Sequence, residues 1–355
     1  MNQQILEQKR HPVDLWPLPA VISENNFVNK SLSNWSFNIS IGCIHGCRFC
    51  YVPATATVKQ GPKLKEFGVN DPDAEWGQYV LLRTWDEKKF MASLKKAEKT
   101  ATEDLKPDGN RAIMLCTTTD PYQTLRHPDS ARQKELMEHS RFIVRRSLEL
   151  IRDHSTLNVR ILTRSPLAIK DFDLYQSLGK RLLFGMSLAS LNDSLASIYE
   201  PNAPGPAARL RTLHAARDAG INVYVAMAPT PPECDAADLR NTLEEIRELN
   251  PVTIFHEPIN IRAENVARIA EHANSLGVNL NTAVYASSKS WSNYALDSLK
   301  TVERIAHQLN LDHCLHLWPD KALANKELLA RIPHPDAHLA WLNSYWSKIS
   351  AWPTA

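Results

Sequence analysis

The sequence predicts an α/β chain built as a partial, open TIM-type barrel of six or seven β/α units. Three observations carry this. Short apolar runs of strand type alternate with stretches of helical periodicity from residue 112 to residue 285, and that alternation implies βαβ units around a parallel sheet. A chain of 355 residues has room for one large α/β barrel with extensions. Its hydrophobic fraction of 43% and charged fraction of 23% are those of a soluble globular protein, and no apolar run approaches the length of a membrane span.

Residues 1–34 carry Pro12, Pro17 and Pro19 with little periodicity and read as an extended N-terminal arm packed on a body. Residues 33–41 alternate polar and apolar side chains, the pattern of a first strand. The stretch 52–85, with Gly61-Pro62 and Asp71-Pro72-Asp73, reads as an insertion in which 78–82 forms a short strand. Residues 112–116 are a buried-type strand, followed by a helix with Met137, Val144, Leu148 and Ile151 on one face. Strands at 159–163 and 182–187 flank a helical stretch containing Phe172 and Leu178, and a helix through Leu210 and Leu213 ends at Gly220. A fifth strand at 223–227 precedes a helix marked by Leu239, Leu243, Ile246 and Leu249. The sixth is 252–255, and after a helix through Val266, Ile269, Ala273 and Leu276, closed by Gly277, residues 280–285 are read as the seventh. The barrel thus spans 35–290. Residues 291–355 form a helical, aromatic-rich C-terminal extension with Trp291, Trp318, Trp341, Tyr345, Trp346 and Trp352. Aromatic residues at helical spacing pack against a core; a surface that stacks nucleobases is the other reading.

The formal net charge is only +2. The lysine-rich stretch 88–99 includes Glu98 and follows Asp86 and Glu87, which describes a solvated helix face. Nonspecific nucleic-acid binding relies on clustered, uncompensated Lys and Arg, so a nucleic-acid partner is compatible with the chain but unsupported by its charge. The opening residues Met1 to Glu7 lack the basic start and apolar block of a signal peptide. The expectation is a cytoplasmic protein with no membrane partner, and reduced cysteines suit that compartment.

Three of the six cysteines, Cys43, Cys47 and Cys50, fall within one short stretch directly after the first strand. In barrels of this type the working residues lie at the C-terminal ends of strands. Soft thiolates select zinc, copper or iron–sulfur clusters. A [4Fe–4S] cluster usually takes four cysteines, so a three-cysteine loop leaves one iron open to a substrate or cofactor. Two other readings stay open. His45 could complete a Cys3His zinc site, since zinc takes four tetrahedral S and N ligands, which would make the protein a non-catalytic metal-binding interaction module. The three cysteines could also be reduced and purely structural.

The C-x3-C-x2-C spacing with Phe49 before the third cysteine is followed in order by Thr119-Asp120-Pro121-Tyr122-Gln123, Leu162-Thr163-Arg164-Ser165, Glu200-Pro201-Asn202-Ala203-Pro204 and Arg209. Together these resemble the spore photoproduct lyase-like branch of the radical S-adenosylmethionine (SAM) superfamily, over residues from about 35 to 260. The resemblance implies a radical SAM barrel with a [4Fe–4S] cluster on Cys43, Cys47 and Cys50, whose open iron chelates SAM. It implies reductive cleavage of SAM to a 5′-deoxyadenosyl radical that abstracts a hydrogen atom from an unidentified substrate. The electron donor would be a reductase or a protein of flavodoxin or ferredoxin type.

By the same resemblance Phe49 and Tyr51 lie near the adenine of SAM. Thr119, Asp120, Arg164 and Ser187, at or just after strand ends, lie near its amino acid and ribose, where a carboxylate wants guanidinium or hydroxyl donors. Local strand-end capping is the other reading for Thr119 and Ser187. Arg164 stands where the family more usually has lysine, and the two cations are not interchangeable. In the lyase that names the branch, a cysteine at the end of the corresponding strand donates a hydrogen atom to the repaired thymine radical. Cys116 is offset from that place by about one residue, which in a strand turns it to the opposite face; hydrogen donor and buried structural thiol are both open for it. Asp120 and Tyr122 after the second barrel strand, and His256, Glu257, Asn260 and Arg262 after the sixth, are candidates for substrate contact and proton movement. Repair of a DNA lesion is the alternative to an unidentified substrate.

Overall fold

In the computed structural model, which describes residues 11–25 and 32–353, the apolar runs line up as an open, twisted sheet wrapped by helices. The strands in chain order are β1 (Val13–Pro19), β2 (Ile22–Glu24), β3 (Trp35–Phe37), β4 (Ser40–Gly42), β5 (Val80–Thr84), β6 (Ala112–Leu115), β7 (Asn158–Thr163), β8 (Leu182–Ser187), β9 (Val223–Thr230), β10 (Ile254–Pro258) and β11 (Leu315–Leu317). The large sheet has the order β11-β10-β9-β8-β7-β6-β3-β2, parallel from β3 to β11 with β2 antiparallel at one edge. Its two edge strands do not pair, so the barrel is partial. A second sheet, β1-β5-β4, stands beside it.

The connecting helices start where the sequence supplies a cap. Asp129 Oδ1 accepts the N–H groups of Ala131 (2.8 Å) and Arg132 (3.2 Å) at the head of the helix Ser130–His154, which buries Leu136, Ile143, Val144, Leu148 and Ile151. Asp235 does the same for the helix Ala236–Glu248. The helix Glu87–Glu98 buries Phe90, Leu94 and Ala97 and leaves its lysines in solvent, the solvated face expected of that stretch. Among the described residues no helix is long and apolar enough to cross a membrane.

Two expectations are corrected. Residues 33–41 do not make one strand: β3 belongs to the large sheet and β4 to the small one. The break falls at Asn38, whose Oδ1 accepts the N–H groups of Thr117 (2.8 Å) and Thr118 (2.9 Å), so its side chain binds the loop after β6 while the chain changes sheets. Residues 280–285 are not a strand either. They hold a 3₁₀ turn, Thr282–Tyr285, with no buried side chain. The seventh parallel strand is β11, paired to β10 with Ile254 opposite Leu315 and His256 opposite Leu317. Three residues are too few to show a period, so this strand is silent in the sequence.

The aromatic residues of the C-terminal part are mostly packed. Trp291 Nε1 donates to Ile259 O (3.0 Å), Trp346 Nε1 to Pro319 O (2.8 Å), and Trp341 and Tyr345 both bind Glu303. Trp352 covers the fully buried Arg160 on β7, whose guanidinium sits 5.0 Å from that ring, 5.1 Å from Tyr224 and 5.5 Å from Phe255, with Nη2 3.3 Å from Ser350 Oγ. Burial pulls the Arg160 guanidinium down to about 10. A charge buried among rings depends on all of them, so Trp352→Ala is expected to cost about 2 kcal/mol in urea unfolding. A loss below about 0.5 kcal/mol would reduce the ring to a passive cover.

Candidate functional site

The cysteine loop leaves β4 at Gly42, where φ is +84° and a Cβ would lie 2.3 Å from Tyr79 O. At Gly46 φ is +56° and a Cβ would lie 2.9 Å from Gly77 Cα. Only glycine fits either place. Between and beyond them the chain curls back on itself, Gly46 N–H donating to Cys43 O (3.3 Å) and Cys50 N–H to Cys47 O (3.1 Å).

Each half of the loop has its own support. Gln123 Oε1 accepts Ile44 N–H (2.7 Å), and Thr119 Oγ1 donates to Gly42 O (2.7 Å) while accepting from Gln123 Nε2 (3.0 Å). The second half is held by Tyr199 O, which accepts Arg48 N–H (2.9 Å), and by donors from the helix Asn265–Ser275. The loop opens on a cavity of about 530 Å³ at the C-terminal ends of the strands, lined among others by Cys43, His45, Cys47, Phe49, Cys50 and Tyr51. Cys43 and Cys47 are buried, Cys50 is half-buried, and none is in a disulfide. Burial pushes all three thiols up, Cys47 to about 12, so binding a metal there releases protons. Three unbridged soft donors on one glycine-shaped loop, facing one cavity, fit an iron–sulfur cluster. Among the described residues no group of three or more His, Cys, Asp or Glu side chains is placed closely enough to hold a single metal ion. His45 Nδ1 instead lies 3.4 Å from Asp120 Oδ2, and burial lowers the imidazole below its ordinary range.

Opposite the loop, Arg164 Nε donates to Glu200 Oε1 (2.6 Å), and Arg209 Nη1 is 2.5 Å from Glu200 Oε2. Burial alone would raise the Glu200 carboxyl, but Arg209 and Arg164 overcome it and hold the group at about 2. The Arg164 guanidinium lies 5.6 Å from the centre of the Phe49 ring. Burial acts against its charge, but Cys47, Glu200 and Asp120 together hold it above the ordinary arginine range. Asp120 is fully engaged: Oδ1 accepts from Thr163 Oγ1 (2.7 Å) and Tyr122 N–H (2.8 Å), and Oδ2 from Arg164 N–H (2.8 Å). It ties the loop after β6 to the end of β7.

Of the residues singled out in the sequence, the cavity brings together the three cysteines, Phe49, Tyr51, Cys116, Thr119, Asp120, Arg164, Ser187, Glu257, Asn260 and Arg262. Cys116 reaches it despite its offset, because regular strand pairing ends at Leu115 and the alternation argument stops there. Two candidates are not brought in. Tyr122 turns to the outer side of the sheet, where its hydroxyl meets Asp171 Oδ2 (3.0 Å) and the Tyr175 hydroxyl. His256 is fully buried beneath the helix Ser288–Gln308, with Nδ1 3.1 Å from Met227 O and Nε2 3.3 Å from Ser298 Oγ, and burial lowers it to about 4. Strand alternation sends Glu257 to the cavity and His256 away from it, so the two do not form an acid–base pair.

Several site residues were not recognised in the sequence. Gln123, which holds Ile44 N–H, is one, and nothing in its sequence surroundings marks that role. Trp318, an aromatic residue of the C-terminal part, stacks on Phe255 at 4.5 Å and lines the cavity. Asn265 and Arg268 flank the apolar stripe of their helix and are buried beside it, a polar break that is the signal for them.

The sequence model of the radical SAM superfamily matches residues 37–246. An uncharacterized protein, ORF301, of Acidianus two-tailed virus is 30% identical over 272 residues, 74% of this chain and 80% of its own. Among solved structures, a mutant of spore photoproduct lyase with bound AdoMet and dinucleoside spore photoproduct is similar over 86% of this chain and 81% of its own, with a TM-score of 0.58 at 12% identity. Spore photoproduct lyase complexed with dinucleoside spore photoproduct covers 82% and 80%, with a TM-score of 0.54 at 12% identity. At such identities the likeness is one of fold. The superfamily match, by contrast, runs through the cysteine loop and most of the barrel, and the chain belongs to the radical SAM superfamily, whose enzymes work with a [4Fe–4S] cluster and SAM.

Proposed function

We propose that this enzyme cleaves SAM reductively and uses the resulting radical to take a hydrogen atom from an organic substrate held in the same cavity. The observation that carries the reading is the convergence of Cys43, Cys47, Cys50, Phe49 and Arg164 on one cavity at the strand ends, Arg164 being held from behind by Glu200, which also pairs with Arg209. Cys43, Cys47 and Cys50 would hold the cluster, which when bound supplies an open iron and the electron that splits SAM. Phe49 and Tyr51 offer apolar ring surface to an adenine. Arg164 is steered by Glu200 into a fixed pose above Phe49, which leaves it oriented for an anionic group without side-chain rearrangement. Thr119 acts indirectly: its hydroxyl is spent on the Gly42 carbonyl and so sets the start of the cysteine loop. Glu257 and Asn260, hydrogen-bonded to each other, stand with Arg262 on the cavity wall as polar contacts for substrate. The reductant would be a low-potential protein donor of flavodoxin or ferredoxin type.

Anaerobic reconstitution followed by dithionite and SAM is expected to yield 5′-deoxyadenosine, with deuterium passing into it from a labelled substrate. A sample with full iron loading that yields none would defeat the proposal. Arg164→Met is expected to weaken SAM binding about 10- to 150-fold, as loss of a charged contact of roughly 1.5–3 kcal/mol does.

A second reading, repair of a thymine lesion, is favoured by one observation, the Cys116 thiol on the cavity wall. Burial keeps that group protonated as a thiol, the form that can give up a hydrogen atom. If it serves so, dinucleoside spore photoproduct is converted to thymine by the wild type and diverted to other products by Cys116→Ala; no conversion under conditions that support SAM cleavage would end this reading.

A further inference from the structure

We propose that Arg268 is a positioning residue of the metal centre, holding the second half of the cysteine loop by its main-chain carbonyls and keeping a permanent positive charge beside Cys50. The inference rests on the cluster reading above and names residues that neither the cysteine motif nor the superfamily match singles out. Arg268 projects from the helix Asn265–Ser275 and is 94% buried, its exposure being 6%. Its Nε donates to Arg48 O (3.3 Å) and its Nη2 to Cys50 O, while Nη1 pairs with Asp73 in the segment between β4 and β5. One turn earlier, Asn265 Nδ2 donates to Phe49 O (3.3 Å) and to Asn260 O (2.8 Å). Three consecutive carbonyls, 48, 49 and 50, are therefore met by side chains of one helix.

The physical reason is an accounting of buried backbone groups. The loop has no ladder partner here, and a carbonyl buried without a donor is costly. A planar guanidinium can serve two carbonyls and a carboxylate at once; a lysine ammonium keeps the charge but not the fork. The charge has its own effect. A fixed cation next to a cluster ligand favours the more negative, reduced state of the cluster, and a buried pair is little screened by salt. Asp73 balances part of that charge and couples the insertion to the loop.

The test compares wild type, Arg268→Met, Arg268→Lys and Asn265→Ala after anaerobic reconstitution. Iron and sulfide per chain, the midpoint potential followed by electron paramagnetic resonance, and the lifetime of the brown chromophore in air are measured. Far-ultraviolet circular dichroism confirms that each is folded. Arg268→Met is expected to lower the ratio of reduced to oxidised cluster at fixed potential about tenfold, roughly 59 mV for a one-electron couple, and to shorten the chromophore lifetime. Arg268→Lys should keep the wild-type potential while its chromophore decays as fast as in Arg268→Met, and Asn265→Ala should alter lifetime alone. Wild-type potential and lifetime in a folded, iron-loaded Arg268→Met would overturn the inference and leave the cofactor reading intact. Failure of the wild type itself to take up iron would instead overturn the cofactor reading.

Discussion

Replacing Glu200 with Gln should destabilise the protein by about 3–5 kcal/mol at neutral pH, because it strips the carboxylate from the buried Arg209 and the mostly covered Arg164. The pair cannot relax into solvent: the Arg209 side chain is 1% exposed and that of Arg164 18%. Arg209 also donates to Pro204 O (2.7 Å) and Ser187 O (3.1 Å), so the loss is felt along the loop after β8. The same pair makes stability depend on pH. The folded-state value of Glu200, about 2, lies below its ordinary value near 4.5, so the unfolded chain binds the proton first as pH falls. The contribution, about 3 kcal/mol, is fully present above pH 4.5 and is lost as pH drops toward 2. Urea unfolding at pH 6 and pH 3 should therefore show a steeper loss for wild type than for the Gln variant. Parallel pH dependence in the two proteins would mean that Glu200 is not the titrating group. Arg164 is freed from its pose over Phe49 in the variant, so SAM affinity should fall along with stability.

What the sequence made legible follows from where physical constraint is local. Strands β6 to β10 are apolar runs bounded by turn residues and are read directly, as are the capped helices between them. The cysteine loop is legible because three soft donors and two obligatory glycines lie within a few residues of each other. Apart from β11, too short to show a period, the failures are non-local. Asn38 breaks a good alternating pattern by bonding residues 79 and 80 positions away. Tyr122 and His256 sit at strand ends where a rim residue is expected, yet which face they take is decided by partners on other elements, Asp171 and Tyr175 for one, Met227 and Ser298 for the other. Arg268 lies 218 residues from the Cys50 carbonyl that it holds, and no spacing rule reaches that far. A site is legible in sequence when its ligands are neighbours in the chain, and its supports are not.

Replacing Cys47 with Ala should abolish iron binding and with it the brown chromophore and all SAM cleavage, while costing only about 1 kcal/mol of stability. The asymmetry has a structural cause. Cys47 contributes a small buried side chain to an apolar patch with Phe49, Ile198 and Ile269, and Ala keeps most of that packing. The metal, by contrast, loses one of three protein donors, and two thiolates cannot hold four irons against solvent. His45→Ala is the companion measurement. A zinc site of three cysteines and His45 would lose its metal equally in both variants, with zinc and no iron in the wild type. In the cluster site His45 is a neighbour rather than a ligand, its Nδ1 lying near Asp120. Removing it should leave iron content intact, with at most the 10- to 100-fold weakening that loss of a residue supporting the ligands brings. Iron retained in His45→Ala and absent in Cys47→Ala separates the two chemistries on the same loop, because only the cluster leaves the imidazole out of the coordination.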